Sequence, residues 1–436
     1  MQTACWPWKY KQLCVVLILL LAACPTLAQS TISGKIVAAD TRKPVAFANV
    51  FLANTSIGVT GKEDGSFTLS NIPEGQYQLV VSSVGFEAYM RPFKTKGLPL
   101  QLEVLLKPKV DELKEVVVGS YEKNGWDKWG DVFLEHFIGT SVFAEETELM
   151  NKDVLRFRFD PQADMLTVTA RDRLVINNKA LGYILHYDLE FFEFDIKNRE
   201  FRFSGYPFFE EMSTTHASLQ EKWERRRSDA YHGSLMHFMR SFYNNQLKEQ
   251  GFEVRRKMVL TEAEKNRVTL LNEEIKRMRK MPGDTGRANP NDNNNSELTG
   301  YVNMVMKARV GEMIVPDIQV LMDRISGKGD GQSRELLFTE SLEIRYPAKR
   351  FPREYGRASV TPSPVTKGTR TWVNTGSIMV GKTVFSDLTL VANNQPVNVY
   401  SNGSFDNGLN IVTSYYWSWW EKICNKLPYG YQPLKK

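Results

Sequence analysis

Between residues 30 and 107, short runs rich in β-branched and aromatic residues recur about every ten residues with turn residues between them, the pattern of an all-β sandwich. The predicted strands are Thr31–Ala38, Val45–Leu52, Ile57–Gly61, Ser66–Leu69, Gln76–Ser83, Phe86–Phe93 and Leu98–Leu106. Tyr77, Leu79 and Val81 fall at alternate positions, as do Leu98, Leu100, Leu102, Val104 and Leu106, so one face of each strand is buried. Glu63-Asp64-Gly65 and Pro73-Glu74-Gly75 are turns, Gly65 supplying the left-handed position and Pro73 a preset φ.

Beyond residue 120 the pattern changes. Trp129, Val132, Phe133, His136 and Phe137 fall at helical spacing, predicting an amphipathic helix over Trp126–Ile138. Strand-like runs follow at Val154–Phe159, Met165–Ala170, Leu174–Ile176, Ala180–Phe194 and Arg199–Gly205. Ser234 is a cap for a helix running through Leu247 with Leu235, Phe238, Met239 and Phe242 on its stripe. Thr261 and Glu264 form a capping box for a helix to about Lys280. Residues 281–297, MPGDTGRANPNDNNNSE, hold almost nothing apolar and read as a flexible linker. Strands resume at Tyr301–Arg309, Glu335–Phe338, Ser341–Tyr346, Thr371–Val373, Ser377–Val380 and Leu388–Val391, before the aromatic stretch Tyr415–Trp420.

The expected fold class is therefore mainly β with some α: an N-terminal β-sandwich, then a larger β-rich α+β body. The expected divisions are a signal segment at 1–28, the sandwich at 30–107 and a connector at 108–125. The body is divided into a first part at 126–280, the linker at 281–297 and a β-rich part at 298–436.

The amino terminus adds an address. Lys9 and Lys11 precede the apolar run Leu13–Ala23, and Thr26-Leu27-Ala28 places small residues for cleavage before Gln29. This is the pattern of a secretory signal peptide, too short to span a bilayer. Leu21-Ala22-Ala23-Cys24 resembles a lipobox, which would make Cys24 a lipidation site. Pro25 and the missing polar tether favour plain cleavage. Without residues 1–28, Cys424 is the single cysteine of the four, so no intramolecular disulfide and no cysteine-based zinc site is expected. Its aromatic neighbours point to a buried thiol.

Composition narrows the partners. Hydrophobic residues make up 42% of the 436, and 56 basic residues face 50 acidic ones, for a net charge of +6. Removing the signal segment takes away Lys9 and Lys11 and no acid, leaving +4. Nucleic acid is not indicated. Arg225-Arg226-Arg227 and Arg255-Arg256-Lys257 are short runs beside glutamates and read as solvated surface.

The run SGKIVAADTRKPVAFANVFLANTSIGVTGKEDGSFTLSNIPEGQYQLVVSSVGFE resembles the carboxypeptidase-like regulatory domain, a transthyretin-like sandwich of Gram-negative envelope proteins. The residues that carry the likeness are Gly34, Pro44, Val45, Ala48, Asn49, Val50, Thr55, Gly58, Asp64, Gly65, Phe67, Ile72, Gly75, Tyr77, Val84, Gly85 and Phe86; Gly61-Lys62 departs from it. Leu113–Gly119 is similar to the connector that follows this domain in TonB-dependent transporters. Only 317 residues follow Gly119, too few for a plug and a barrel of about 22 strands. The body is similar to uncharacterised envelope proteins through Phe137–Ser141, Asn177–Tyr183 and Tyr231–Phe238. The resemblance implies an exported protein of the periplasm or outer membrane, meeting the membrane through a lipid or a partner.

The candidate chemistry is thin. None of the five histidines has Glu three residues later, and HExxH, GxSxG, GxGxxG, a P-loop and CxxC are missing. His232 and His237, five apart on one helix, would point about 140° apart. Asp188, Glu190, Glu193 and Asp195 form an acidic cluster along one strand face, with a slip in alternation near Phe191; they could serve a hydrolase or only a polar face. Trp417, Trp419 and Trp420 could stack on a sugar or fill a core. No catalytic residue, metal or cofactor is expected. The sequence favours a non-catalytic envelope protein whose partners are other envelope proteins, bound through the sandwich by strand pairing or surface patches. A glycan-binding accessory of nutrient uptake and an unrecognised hydrolase stand as the alternatives.

Overall fold

The structure, a computed structural model, describes residues 30–109, 121–259, 266, 270, 312–315, 325–327, 331–339, 341–358, 379–392, 395–406 and 408–433. The signal segment with Cys24, most of the connector, the helix expected to Lys280, the linker at 281–297 and the strands expected at Tyr301–Arg309 and Thr371–Val373 lie outside these residues, as does the first half of Ser377–Val380.

Seven strands build the N-terminal domain: β1 (Ile32–Ala38), β2 (Asn49–Leu52), β3 (Gly58–Thr60), β4 (Ser66–Leu69), β5 (Gln76–Ser82), β6 (Tyr89–Lys94) and β7 (Leu100–Leu106). They form two sheets, ordered β4-β1-β7 and β3-β2-β5-β6. Tyr77, Leu79 and Val81 meet Leu102, Val104 and Leu106 between the sheets, as alternation requires. In the turn before β4 Gly65 adopts φ +79°, and Asp64 Oδ1 accepts the Ser66 N–H at 2.9 Å. Val80 points away from this core, yet it is fully buried. Something must therefore cover the far face of β5.

The cover belongs to the body. Helix α1 (Gly125–Phe137) lies on an antiparallel sheet of β8 (Thr147–Leu149), β9 (Leu155–Asp160), β10 (Met165–Ala170), β11 (Leu174–Asn178), β12 (Tyr183–Asp195) and β13 (Glu200–Glu211). The order is β8-β11-β12-β10-β9, with β13 along the other edge of β12. The register between β12 and β13 shifts between Leu189 and Phe191, a bulge where the alternation slips. Phe133 of α1 sits 4.8 Å from Phe137 and 5.1 Å from Phe192, centroid to centroid, joining helix to sheet.

Two helices follow, α2 (Ala217–Tyr231) and α3 (Leu235–Tyr243). Ser234 caps α3 by accepting the His237 N–H at 3.1 Å, and the helix ends at Tyr243 rather than Leu247. The next strands are β14 (Glu253–Val259), β15 (Glu312–Val315), β16 (Ser326–Gly327), β17 (Ser333–Leu336) and β18 (Ser341–Arg350). Helix α4 (Arg353–Ala358), β19 (Thr383–Leu390), β20 (Val397–Tyr400), β21 (Ile411–Tyr415) and helix α5 (Tyr416–Trp420) complete the chain. The sheets are β15-β14-β18-β19-β21 and β16-β17-β20. β14 precedes residues 281–297 and β18 follows them, so the two sides of that segment share a sheet. One apolar core runs from Phe133 to Leu427. No described helix is long and apolar enough to cross a membrane.

Candidate functional site

The acidic cluster does not converge. Asp188 takes two bonds from Arg173, from Nε at 2.9 Å and Nη2 at 2.7 Å. Glu193 pairs with Arg202 across the β12–β13 ladder at 2.5 Å. Asp195 caps the turn after β12, accepting the Asn198 N–H at 2.8 Å, and these bonds hold its carboxyl below the usual range. Glu190, the bulged residue, accepts from Ser204 Oγ at 2.8 Å. Each carboxylate has its own partner, and the ends of the row are seven residues apart, roughly 23 Å along a strand. Among the described residues, no three of His, Cys, Asp and Glu gather as a metal set.

The tryptophans are core. Trp417, Trp419 and Trp420 are 2%, 8% and 6% exposed. Their indole N–H groups donate to Gly233 O, Thr140 Oγ1 and Ala230 O at 2.8, 2.9 and 3.2 Å. A sugar needs an open ring face, so the stacking platform is ruled out by burial. Lys349 lies over Trp420 at 4.4 Å and donates to Asp229 O and His232 O, closing the last turn of α2. Burial lowers its amine to about 8. Glu421 accepts the Leu235 N–H at 2.7 Å, at the start of α3.

His232 and His237 correct the single-helix reading. Gly233 takes φ +77° between α2 and α3, so the two histidines stand on either side of a kink with rings 5.4 Å apart. The Gly233 N–H donates to His237 Nδ1, and Nε2 meets Gln250 Oε1 at 3.2 Å. Both nitrogens are used in a neutral ring, and burial lowers its pKa to about 4. Cys424 is buried against Ser141 Oγ at 3.4 Å, and burial raises the thiol to about 11.

The first basic run is not simply solvated. Arg227 is buried with its guanidinium 4.0 Å from the Tyr183 centroid, donating to Leu181 O and Gly182 O. Arg226 pairs with Glu146 at 2.7 Å. In the second run Arg255 pairs with Glu253 at 3.0 Å.

The most built polar surface is the seat of the sandwich on the body. Phe51, Ala53 and Val80, on the outer face of β2 and β5, bury against Tyr206 and Phe208 of β13. The Phe51 and Phe208 rings are 5.4 Å apart. Arg173 lies 4.9 Å from the Phe51 centroid and donates Nη2 to Ser82 Oγ at 2.6 Å while holding Asp188. Beside it Thr55, buried, folds its loop through Leu52 O and the Ile57 N–H. That loop joins the edge of β13: Asn54 N–H to Pro207 O at 2.6 Å, and Phe209 N–H to Thr55 O at 2.9 Å. It is strand addition within one chain.

A second contact uses the Pro73–Gly75 turn. Ser404 Oγ and Asn402 Nδ2 donate to Gln76 O at 3.1 and 3.3 Å, and Ser401 Oγ donates to Glu74 O. The tail supplies a third, Tyr429 N–H to Asn54 O at 2.6 Å. Arg240 of α3 organises both. Its guanidinium donates to Asn402 O, Tyr431 O and Tyr429 O at 3.0, 2.8 and 2.9 Å. The sequence reading missed Arg240; its only signal was a charge beside the apolar stripe of a helix. The Asn54–Gly61 loop is thus partly used internally, whereas Val84 stands 95% exposed.

Residues 32–118 match the family model of the CarboxypepD_reg-like domain. The N-terminal domain is therefore a CarboxypepD_reg-like sandwich, followed by a β-rich body. No curated protein matches the chain. Among solved structures, a cohesin–X-dockerin complex of Acetivibrio cellulolyticus contains a chain 17% identical over 17% of this protein and 56% of its own length, with TM-score 0.14. A protein of unknown function from Bacteroides fragilis is 18% identical over 37% of this chain and 65% of its own, with TM-score 0.15. A DUF3823 family protein from Bacteroides uniformis is 10% identical over 42% of this chain and 100% of its own, with TM-score 0.14. The chain thus spans less than two thirds of the first two.

Proposed function

We propose that this protein is an exported, non-catalytic component of the cell envelope that binds another envelope protein, presenting its sandwich from a fixed seat on the body. The observation that carries the reading is how the CarboxypepD_reg-like domain sits. The β3-β2-β5-β6 face is spent on the body, while Lys35, Thr68, Gln101, Glu103 and Leu105 on the β4-β1-β7 sheet are exposed. A domain held this way offers a rigid surface, so little ordering cost is added on binding. The acidic cluster, His232 and His237 support the non-catalytic part, since each is engaged in local structure.

Affinity purification from native envelopes tests the reading, with Lys35→Glu and Glu103→Arg as exposed variants. Loss of a partner seen with the unaltered protein is expected. Retention of every partner by both variants would remove the sandwich from the binding role. Intact mass tests the address: cleavage after Ala28 is expected, and an acyl-glyceryl group on Cys24 would make the protein a lipoprotein.

A further inference from the structure

Among the described residues β13 is an edge strand, and the sandwich occupies only its last part. Pro207 O and the Phe209 N–H point outward to the Asn54–Thr55 loop. Alternation along a strand then turns the backbone groups of Phe201, Phe203 and Gly205 outward as well, because Arg202, Ser204 and Tyr206 face β12 in the same ladder. Among the described residues, nothing bonds to these three outward positions. Their neighbours Glu200 and Arg202 are exposed, and Phe203 and Gly205 half-buried. An open edge of this kind is a template for another strand.

We propose that residues 201–205 of β13 pair with the same residues of a second copy, antiparallel about a two-fold axis through Phe203. The register is self-complementary. Phe203 faces its counterpart, and Phe201 faces the partner's Gly205. All of these are outward residues, so three facing pairs with two bonds each give about six backbone hydrogen bonds. Gly205 has no room for a side chain of its own: a Cβ there would lie 2.3 Å from the Tyr187 ring and 2.4 Å from Asp188 O.

Charge fits the same register. On the solvent face Arg202 comes opposite the partner's Ser204, in the non-bonded pairing where side chains approach closest. Ser204 Oγ holds Glu190 at 2.8 Å, so each Arg202, paired with its own Glu193, also comes beside the partner's Glu190. The paired stretch stops at residue 205, short of Pro207, where the sandwich loop begins. The edge left open is continuous with the edge already used, and the second copy lengthens the six-stranded sheet into one shared by two chains.

Sedimentation velocity of the mature protein, with hydrogen exchange read at Phe201, Phe203 and Gly205, is the test. A dimer is expected, with these amides protected in proportion to dimer. Arg202→Glu and Glu190→Arg should each weaken dimerisation about tenfold, and the double variant should restore it. Thermal midpoints of the single variants show that they are folded. A monomer at all concentrations overturns the proposal. So does a dimer whose three amides exchange freely, or protection that appears only in native envelopes and reports a foreign strand.

Discussion

The indole N–H of Trp417 donates to the carbonyl of Gly233 at 2.8 Å, and its backbone N–H donates to Ser386 Oγ at 2.9 Å. One residue of α5 thereby ties the kink between α2 and α3 to β19. Trp417→Phe leaves the Gly233 carbonyl buried and unpaired, and should cost about 1–3 kcal/mol. Trp417→Ala should cost about 3–5 kcal/mol. Urea denaturation measures both; a variant as stable as the parent would show that the ring is not a keystone of this core.

Arg173 is the polar hinge pin between sandwich and body. Arg173→Ala strands Asp188 without its two bonds and frees Ser82, at about 1–3 kcal/mol. Faster hydrogen exchange at Phe51, Asn54 and Phe209 is the expected readout. Unchanged exchange there would mean that Phe51 and Phe208 hold the seat alone.

Acid should weaken the fold through His237. Its folded pKa is about 4, below the usual 6.5, chiefly because burial disfavours the charged ring; the Gln250 hydrogen bond opposes this, and His232, Arg240 and Lys349 add to it. The unfolded chain takes up the proton first as pH falls. The stabilisation is therefore complete above 6.5, falls between 6.5 and 4, and amounts to roughly 3 kcal/mol. His136, also lowered to about 4, adds to the same window. In urea titrations at pH 7, 5.5 and 4.5, His237→Gln should show a shallower decline than the parent; an equal slope would assign the effect elsewhere.

Cys424 should be silent in the native state. With the thiol raised to about 11 and enclosed, alkylation at pH 8 should wait for unfolding. Rapid labelling of folded protein would contradict the burial.

Where the chain follows its own periodicity, the sequence reading and the structure agree. Strands β1, β4, β10 and β12 fall where alternation predicts them, and the slip at Phe191 is the β12 bulge. Helix α2 did not announce itself. Its buried side includes Arg227 beside Trp223, Ala230 and Tyr231, so the apolar stripe is interrupted by a charge that Tyr183 and two carbonyls accommodate. The histidine pair went wrong at Gly233, where one residue in a left-handed turn converts a single helix into two. The seat of the sandwich was legible only as a contradiction: Val80, on the solvent side by alternation, is apolar. What covers it, Tyr206 and Phe208, is more than 120 residues away and leaves no local trace.

The bond from Tyr429 to Asn54 spans nearly the whole chain. A ribosome delivers Asn54 long before Tyr429. Until the tail emerges, the sandwich lacks one of its three fastenings, and so does the Arg240 fan that holds the tail. Contacts of such sequence separation close late and slowly. The newborn chain therefore passes through an interval with Phe51, Val80, Tyr206 and Phe208 incompletely secured, and that apolar seam is where a chaperone would find it.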